Sequence, residues 1–459
     1  MNKGKRTVSV LDFGVKENSA KIQTEKFQEA INYCFLNGGG EVCIPEGVYH
    51  IGSIRLRSGV TLHLMENAVL KGSRNPEDYL SYLNDTIEPI PEEMKTDVLW
   101  NPPDRGSDVQ KRDYSFMRPA SRWNNGIIKA ICADNISVIG EKGSRNDGCD
   151  CYDKKGDEGY RGPHGINMYY CNNIHMSGYV IENCGNWAHL MFYCKNIDIK
   201  KVEVYGGHDG AHFRGSKNIC VENCIFYTGD DCIAGFNNIN MIVKDCEMNT
   251  ACSAFRLGGT NVLIEKCHMF GPAKYVFRGS LNDKEKETGI LDNENSNKRY
   301  NMLSAYTYFS DFAQKIELQP ANIIMNICKI ENADRFIHYN FSGNEYWQSN
   351  KPLKNITISN TDANNIIMPL TMYGSCEEPL CAEIINSNIS FSKSYREPYM
   401  IMAANYSNIT LKNVNIGGFN GRYAVKSWSK TGKIELENIN MTDLTDVIYT
   451  DEDFICTAI

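Results

Sequence analysis

Asp209, Asp230 and Asp231 are the residues whose type and spacing most plainly suit chemistry. Asp209 and Asp230 stand roughly 21 residues apart, Asp231 adjoins the second, and His189 precedes the first by a similar interval, a spacing at which repeats form structural coils. In a repetitive fold with coils of about that length, Asp209 and Asp230 fall on consecutive coils, roughly 5 Å apart. His189 is then expected one coil below Asp209. Carboxylates crowded in this way repel, so at least one is expected to have a raised pKa. A protonated carboxyl can give its proton to a leaving oxygen while ionised ones activate water, the division of labour that hydrolysis of a glycosidic bond requires. Any one Asp in the turn-like stretch Tyr227–Asp231 would be ordinary; the register of three carries the reading.

Basic groups accompany the carboxylates. Arg256 and Arg278 are likewise one such interval apart, with Lys274 close by. They read either as a solvated basic face or as guanidinium forks for a substrate's carboxylate or hydroxyls. His208 and His212 flank Asp209 and are candidate sugar contacts or plain turn histidines.

A repeat must hold these residues. Asn followed by Ile or Val recurs at Asn173, Asn196, Asn218, Asn238 and Asn261, at intervals of roughly 20–23 residues. Weaker copies stand at Asn135, Asn322, Asn355, Asn388 and Asn408. Period-2 runs such as Ile197-Asp198-Ile199 follow each Asn, and no helix-length stretch separates the copies, which excludes βαβ units. About 22 residues with three short strands make one coil of a parallel β-helix, with the Asn stacked as a ladder at one turn. Thr24, Phe27, Ala30, Ile31 and Cys34 predict an N-terminal capping helix over 24–37, stopped at Gly38-Gly39-Gly40. The chain 1–459 is read as a single domain. Segments 78–125 and 280–303 break the repeat and are expected to be inserted loops near a cleft.

Bulk properties narrow the partners. The net charge of −8 argues against a nucleic-acid binder. No run of about 18 apolar residues suggests a membrane span. No apolar run of signal-peptide length follows the basic start, which sets a cytoplasmic location as the expectation. The 18 Cys lack paired zinc-finger spacing, so they are expected to be free thiols filling an inward stack. No cofactor and no metal are expected, and the partner is an oligosaccharide.

The stretch Leu11-Asp12-Phe13-Gly14-Val15, then Gly38–Val42, Ile44–Tyr49, Leu62-His63-Leu64, Pro163-His164 and Gly185–His189, closely resembles glycoside hydrolase family 28, the polygalacturonase family. The likeness runs over most of residues 7–280. It implies an all-β, right-handed parallel β-helix of the pectate-lyase-like kind and an inverting hydrolase acting on pectic chains. His208-Asp209-Gly210 stands where the family has Asn-Thr-Asp-Gly, and Gly229-Asp230-Asp231 matches its second motif. By that likeness Asp230 is the general acid, and Asp209 and Asp231 hold and activate water. Two motifs depart. Cys252-Ser253-Ala254-Phe255-Arg256 replaces Gly-His-Gly, and Tyr275-Val276-Phe277-Arg278 is the nearest counterpart of Arg-Ile-Lys. The expectation is therefore a glycosidase cleaving an α-linkage in a pectic or related oligosaccharide. An α-galactosidase on a related β-helix, a calcium-dependent lyase and a non-catalytic carbohydrate-binding helix are the alternatives.

Overall fold

The computed structural model describes residues 6–96, 121–311, 316–341, 345, 347–441 and 443–450. These fall into two compact units, the first of residues up to 96, 121–228 and 277–298, the second of residues 229–276 and those from 299 onward. Each is built as a right-handed parallel β-helix, in which every strand pairs in parallel with its equivalent in the next coil. No described helix is long and apolar enough to cross a membrane.

In the first unit, Asn172–Ser177, Lys195–Lys200 and Lys217–Glu222 stack so that Ile174, Ile197 and Ile219 align, as do Met176, Ile199 and Val221. These aligned side chains point inward and are almost wholly buried. Alternation works here because a strand's successive side chains face opposite sides, and a one-residue slip would expose the whole apolar set. The ladder residues Asn173, Asn196 and Asn218 all sit in the left-handed region with positive φ, a conformation that Asn adopts more readily than most residues. Their side chains bond to one another. Asn196 Nδ2 donates to Asn173 Oδ1 at 3.2 Å, and Asn218 Nδ2 to Asn196 Oδ1 at 2.9 Å.

The second unit continues the device with a shift. The ladder member on its first coil is Asn240, not Asn238; Asn261 Nδ2 donates to Asn240 Oδ1 at 3.1 Å and Asn322 Nδ2 to Asn261 Oδ1 at 2.9 Å. An irregularity between Gly235 and Asn238 moves the register. Farther on, Asn413 donates to Asn386 and Asn438 to Asn413 at another corner, Asn415 Nδ2 donates to Asn388 Oδ1 at 2.6 Å, and Asn408 lies in register with Cys381, the partner of Asn355.

Every described cysteine is free. Six of the buried ones share a local bond: the thiols of Cys171, Cys194, Cys224, Cys246, Cys267 and Cys328 each donate to the carbonyl two residues earlier. Hydroxyls take over later, since Thr361 and Ser387 make the same bond at 2.8 Å. A small side chain with one weak donor is what the turn requires.

The capping helix α1 spans Thr24–Leu36 and buries Phe27, Ala30, Ile31 and Cys34. Its cap residue is Gln23, and the Thr24 hydroxyl instead accepts the Gly52 N–H at 2.8 Å. Past its end, Gly39 has φ +99°, and a Cβ there would lie 2.7 Å from the Gly59 carbonyl oxygen. Within the 280–303 insertion a second helix, α2 (Asp283–Thr288), is closed by an Asn282–Glu285 capping box. Of the 78–125 insertion, residues 97–120 lie outside the described residues.

Candidate active site

In the first unit, Asp209 follows the bend Gly207-His208 after the strand Glu203–Gly206 and precedes the strand Ala211–Arg214. It is 4% exposed, and its Oδ2 lies 2.8 Å from His212 Nδ1. Arg214 Nε donates to His212 Nε2 at 2.8 Å. A guanidinium can only donate, so Nε2 accepts and the ring proton sits on Nδ1, aimed at Asp209. Trp187 stacks on His212 with centroids 3.8 Å apart, and the Arg214 guanidinium lies 5.7 Å from the Trp187 centroid. Asp209 is thus an oriented carboxylate on a braced imidazole, and not a loose turn residue.

His208 faces the other way. Arg161 Nη1 donates to its Nδ1 at 3.1 Å and to Asn186 Oδ1 at 3.3 Å, while Tyr160 stacks on its ring. Burial and the charges of Arg161 and Arg278 hold His208 well below the ordinary histidine pKa. Arg278 ion-pairs with Asp150 and donates to the Cys184 carbonyl at 3.3 Å. It belongs to a short 3-10 turn, Arg278–Ser280, and not to a coil strand.

His189 is placed inside the coil. The register pairs it with Ala211, two residues past Asp209, because the local coil is slightly longer than the spacing of His189 and Asp209. Its Nδ1 lies 3.0 Å from the Gly210 carbonyl and its Nε2 2.9 Å from the Tyr179 hydroxyl, so both nitrogens are satisfied by the neutral ring. Burial lowers its pKa to about 4. The unfolded chain takes up this proton near pH 6.5 and the fold does so only near 4, so stability should drop as pH falls through that window. Thermal melts at pH 7, 6, 5 and 4 check the sign; a melting point that rises on acidification would refute it.

The second unit holds the Asp pair. The Asp230 backbone carbonyl accepts the Thr250 hydroxyl at 2.5 Å, and its Oδ1 accepts the Asp231 N–H at 3.2 Å. Asp231 is 2% exposed; its Oδ1 accepts the Ser253 N–H at 3.0 Å and its Oδ2 lies 3.1 Å from Arg256 Nε. Burial raises the Asp231 pKa, the Arg256 guanidinium opposes that, and the Asp230 charge adds to it. Ser253 contributes its backbone N–H here, while its hydroxyl meets Thr307 Oγ1 at 3.2 Å. The Arg256 guanidinium also faces the Trp347 ring at 5.6 Å from the centroid.

Lys274 is exposed in the turn after the strand His268–Phe270, with its backbone N–H on Asn249 Oδ1 at 2.6 Å. The strand that stacks on Ser253–Leu257 is Met302–Tyr308, with Ser253 facing Ser304 and Arg256 facing Thr307. The stretch Tyr275–Arg278 therefore occupies no coil position equivalent to an Arg-Ile-Lys strand, and Met302–Tyr308 carries no Lys or Arg.

Asp230, Asp231 and Cys252 offer donor atoms within 4.8 Å of one another. Arg256 fills the role of counter-ion there, with Nη2 3.7 Å from the Cys252 sulfur, and burial with the Asp231 charge keeps that thiol protonated. This trio suits a guanidinium better than a metal. Sequence reasoning missed Arg161, Trp187 and Arg214. Arg214 had a signal, since it lies two residues from His212 on the same face of one strand.

Residues 116–262 match the family model of glycosyl hydrolases family 28. A probable polygalacturonase of Vitis vinifera is 26% identical over 239 residues, covering 50% of this chain and 44% of the relative. The exo-poly-alpha-D-galacturonosidase of Dickeya chrysanthemi is 24% identical over 255 residues, covering 50% of this chain and 41% of the relative. The chain thus spans under half the length of these two curated relatives. The exopolygalacturonase structure from Thermotoga maritima shares the fold, with a TM-score of 0.54 at 16% identity over 95% of this chain and 91% of that one. Over residues 116–262 the chain is similar to glycosyl hydrolases family 28. The matched region contains Asp209, Asp230, Asp231, Ser253 and Arg256, whereas Lys274 and Arg278 lie beyond it. The family's two departing motifs thus fall on the coil of Cys252–Arg256 and just past the match.

Proposed function

We propose that this protein is an inverting glycoside hydrolase of polygalacturonase-like type, cleaving an α-glycosidic bond in a pectic or related oligosaccharide. Asp230 protonates the leaving oxygen, and Asp209 and Asp231 hold and activate the attacking water. The observation that carries the reading is the Gly229-Asp230-Asp231 pair, in which one buried carboxyl is clamped by the Ser253 N–H and Arg256 and has a raised pKa. Asp209, one coil earlier in the sequence, is oriented by His212 as a water-activating carboxylate would need to be.

The test is product release from α-linked galacturonides and galactosides, followed by NMR of the anomer released first. A β-anomer from a galacturonide supports the proposal, and turnover of galactosides alone reassigns the sugar. Release of the α-anomer, an unsaturated product, or no turnover would each overturn it.

A further inference from the structure

A second constellation of chemistry-bearing side chains lies on the first unit near the capped end, well apart in sequence from the aspartates. Glu41 and Cys43 alternate along the strand Gly40–Ile44, and both face outward because Gly40, Val42 and Ile44 are the buried positions. The next coil places His63 directly against Cys43. The donor atoms of Glu41, Cys43 and His63 all lie within 4.8 Å of one another. Glu41 Oε1 is the meeting point, 2.8 Å from His63 Nδ1 and 3.5 Å from the Cys43 sulfur. A tetrahedral zinc with its usual bond lengths holds oxygen and nitrogen ligands about 3.3 Å apart, and oxygen and sulfur about 3.5 Å. The Glu41–Cys43 distance already matches such an edge, the Glu41–His63 contact would lengthen slightly, and the third pair lies within 4.8 Å.

The imidazole is also supported in the manner of a metal ligand. His63 Nε2 lies 3.1 Å from Glu141 Oε1, on the following coil, and the other oxygen of Glu141 accepts the Glu66 N–H at 3.0 Å. A carboxylate on the far nitrogen fixes the ring and leaves Nδ1 to carry the metal, an arrangement that raises ligand basicity. The His63 and Glu41 side chains are 21% and 27% exposed, so an ion has a path in and water can fill a fourth position. The mixed thiolate, imidazole and carboxylate set favours zinc over magnesium or calcium.

We propose that Glu41, Cys43 and His63 bind one divalent zinc-class cation, with Glu141 as the carboxylate that positions His63. Binding releases the Cys43 proton, while the neutral His63 ring carries its one proton on Nε2 toward Glu141 and offers the Nδ1 lone pair to the ion, with no change of oxidation state. The ion ties two consecutive coils together beside α1, so it should stabilise the folded chain.

The experiment uses the full chain, reduced and stripped of metal, titrated with Co²⁺ and then with Zn²⁺ in competition. One ion per chain is expected, with a thiolate-to-cobalt charge-transfer band, and saturating zinc should raise the melting temperature. Cys43→Ser should abolish the band, and His63→Gln should weaken binding at least tenfold. Glu141→Gln should weaken it about 10- to 100-fold while keeping the band. Far-UV circular dichroism confirms that each variant folds. An absent band, or a band and affinity unchanged in Cys43→Ser, overturns the site and assigns any bound cobalt to the other thiols.

Discussion

Replacing Asp230 with Asn should lower kcat about 10²- to 10⁴-fold, the range a positioned general acid contributes, while KM moves little. The substitution is nearly isosteric. Asn keeps an Oδ1 for the Asp231 N–H, and the backbone bond from Thr250 is untouched. What is lost is the proton for the leaving oxygen. An aryl glycoside, whose leaving group needs no proton, should therefore recover most of the rate in the variant. Asp231→Asn differs for a reason visible in its partners. One side of that carboxylate accepts the Ser253 N–H and the other meets Arg256, so either amide orientation sets donor against donor. It should lose stability together with activity. Steady-state kinetics on an oligosaccharide and an aryl glycoside, with a melt of each variant, separate the two roles. Asp230→Asn turning over both substrates at the wild-type rate would remove it as the acid.

The β-helix was legible because its cause is local. A period-2 run after a left-handed Asn, repeated every 22 residues or so, leaves few alternatives. The capping helix was legible because Phe27, Ala30, Ile31 and Cys34 share one face. What misled was a fixed spacing. The irregularity between Gly235 and Asn238 moves the ladder residue to Asn240, and sequence alone does not mark which of three nearby Asn joins the ladder, since both Asn237 and Asn240 are left-handed. The same assumption put His189 in line with Asp209, whereas the register pairs it with Ala211 and its ring meets Tyr179. A long insertion defeats counting altogether. The strand over Ser253–Leu257 comes from Met302–Tyr308, well beyond one repeat, so Tyr275–Arg278 is not the next coil that counting suggests. The carboxylates of the candidate site stood out by motif. Their bracing groups did not, because Trp187, Arg161 and Arg214 act through contacts that no spacing encodes.

Replacing Asp85 with Ala should cost about 3–5 kcal/mol of stability, the loss typical when one partner of a buried ion pair is removed. Arg55 and Arg57 have side chains 0% and 2% exposed, and Asp85 Oδ2 meets both, at 2.9 and 2.6 Å. Glu88 stands farther off, at 3.6 and 3.7 Å, and could not neutralise two guanidiniums alone. Lys129 is a third buried cation beside them, with Nζ on the Ser81 carbonyl at 3.3 Å. Burial and the Arg55 charge push its pKa down to about 7. The Asp85 carboxyl goes the same way for the opposite reason. Burial alone would raise it, but the Arg57 bond, the Ile87 N–H and the Arg55 charge hold it below the usual value. Its contribution is therefore fully present above the ordinary carboxylate pKa near 4 and is lost as pH falls through its lower folded value. Lys129 acts at the other end. The unfolded chain keeps its proton up to about pH 10 and the fold releases it near 7, so stability should fall across that interval as pH drops and rise as pH climbs. Asp85→Ala should flatten the acid limb of a stability–pH profile measured by denaturant unfolding and leave the alkaline rise in place. A loss under about 1 kcal/mol, the range of an exposed pair, would show that solvent reaches these guanidiniums. The strand Ile54–Arg55 would then have to be held under residues 78–96 by apolar contacts such as those of Tyr79 and Ile90, both nearly buried.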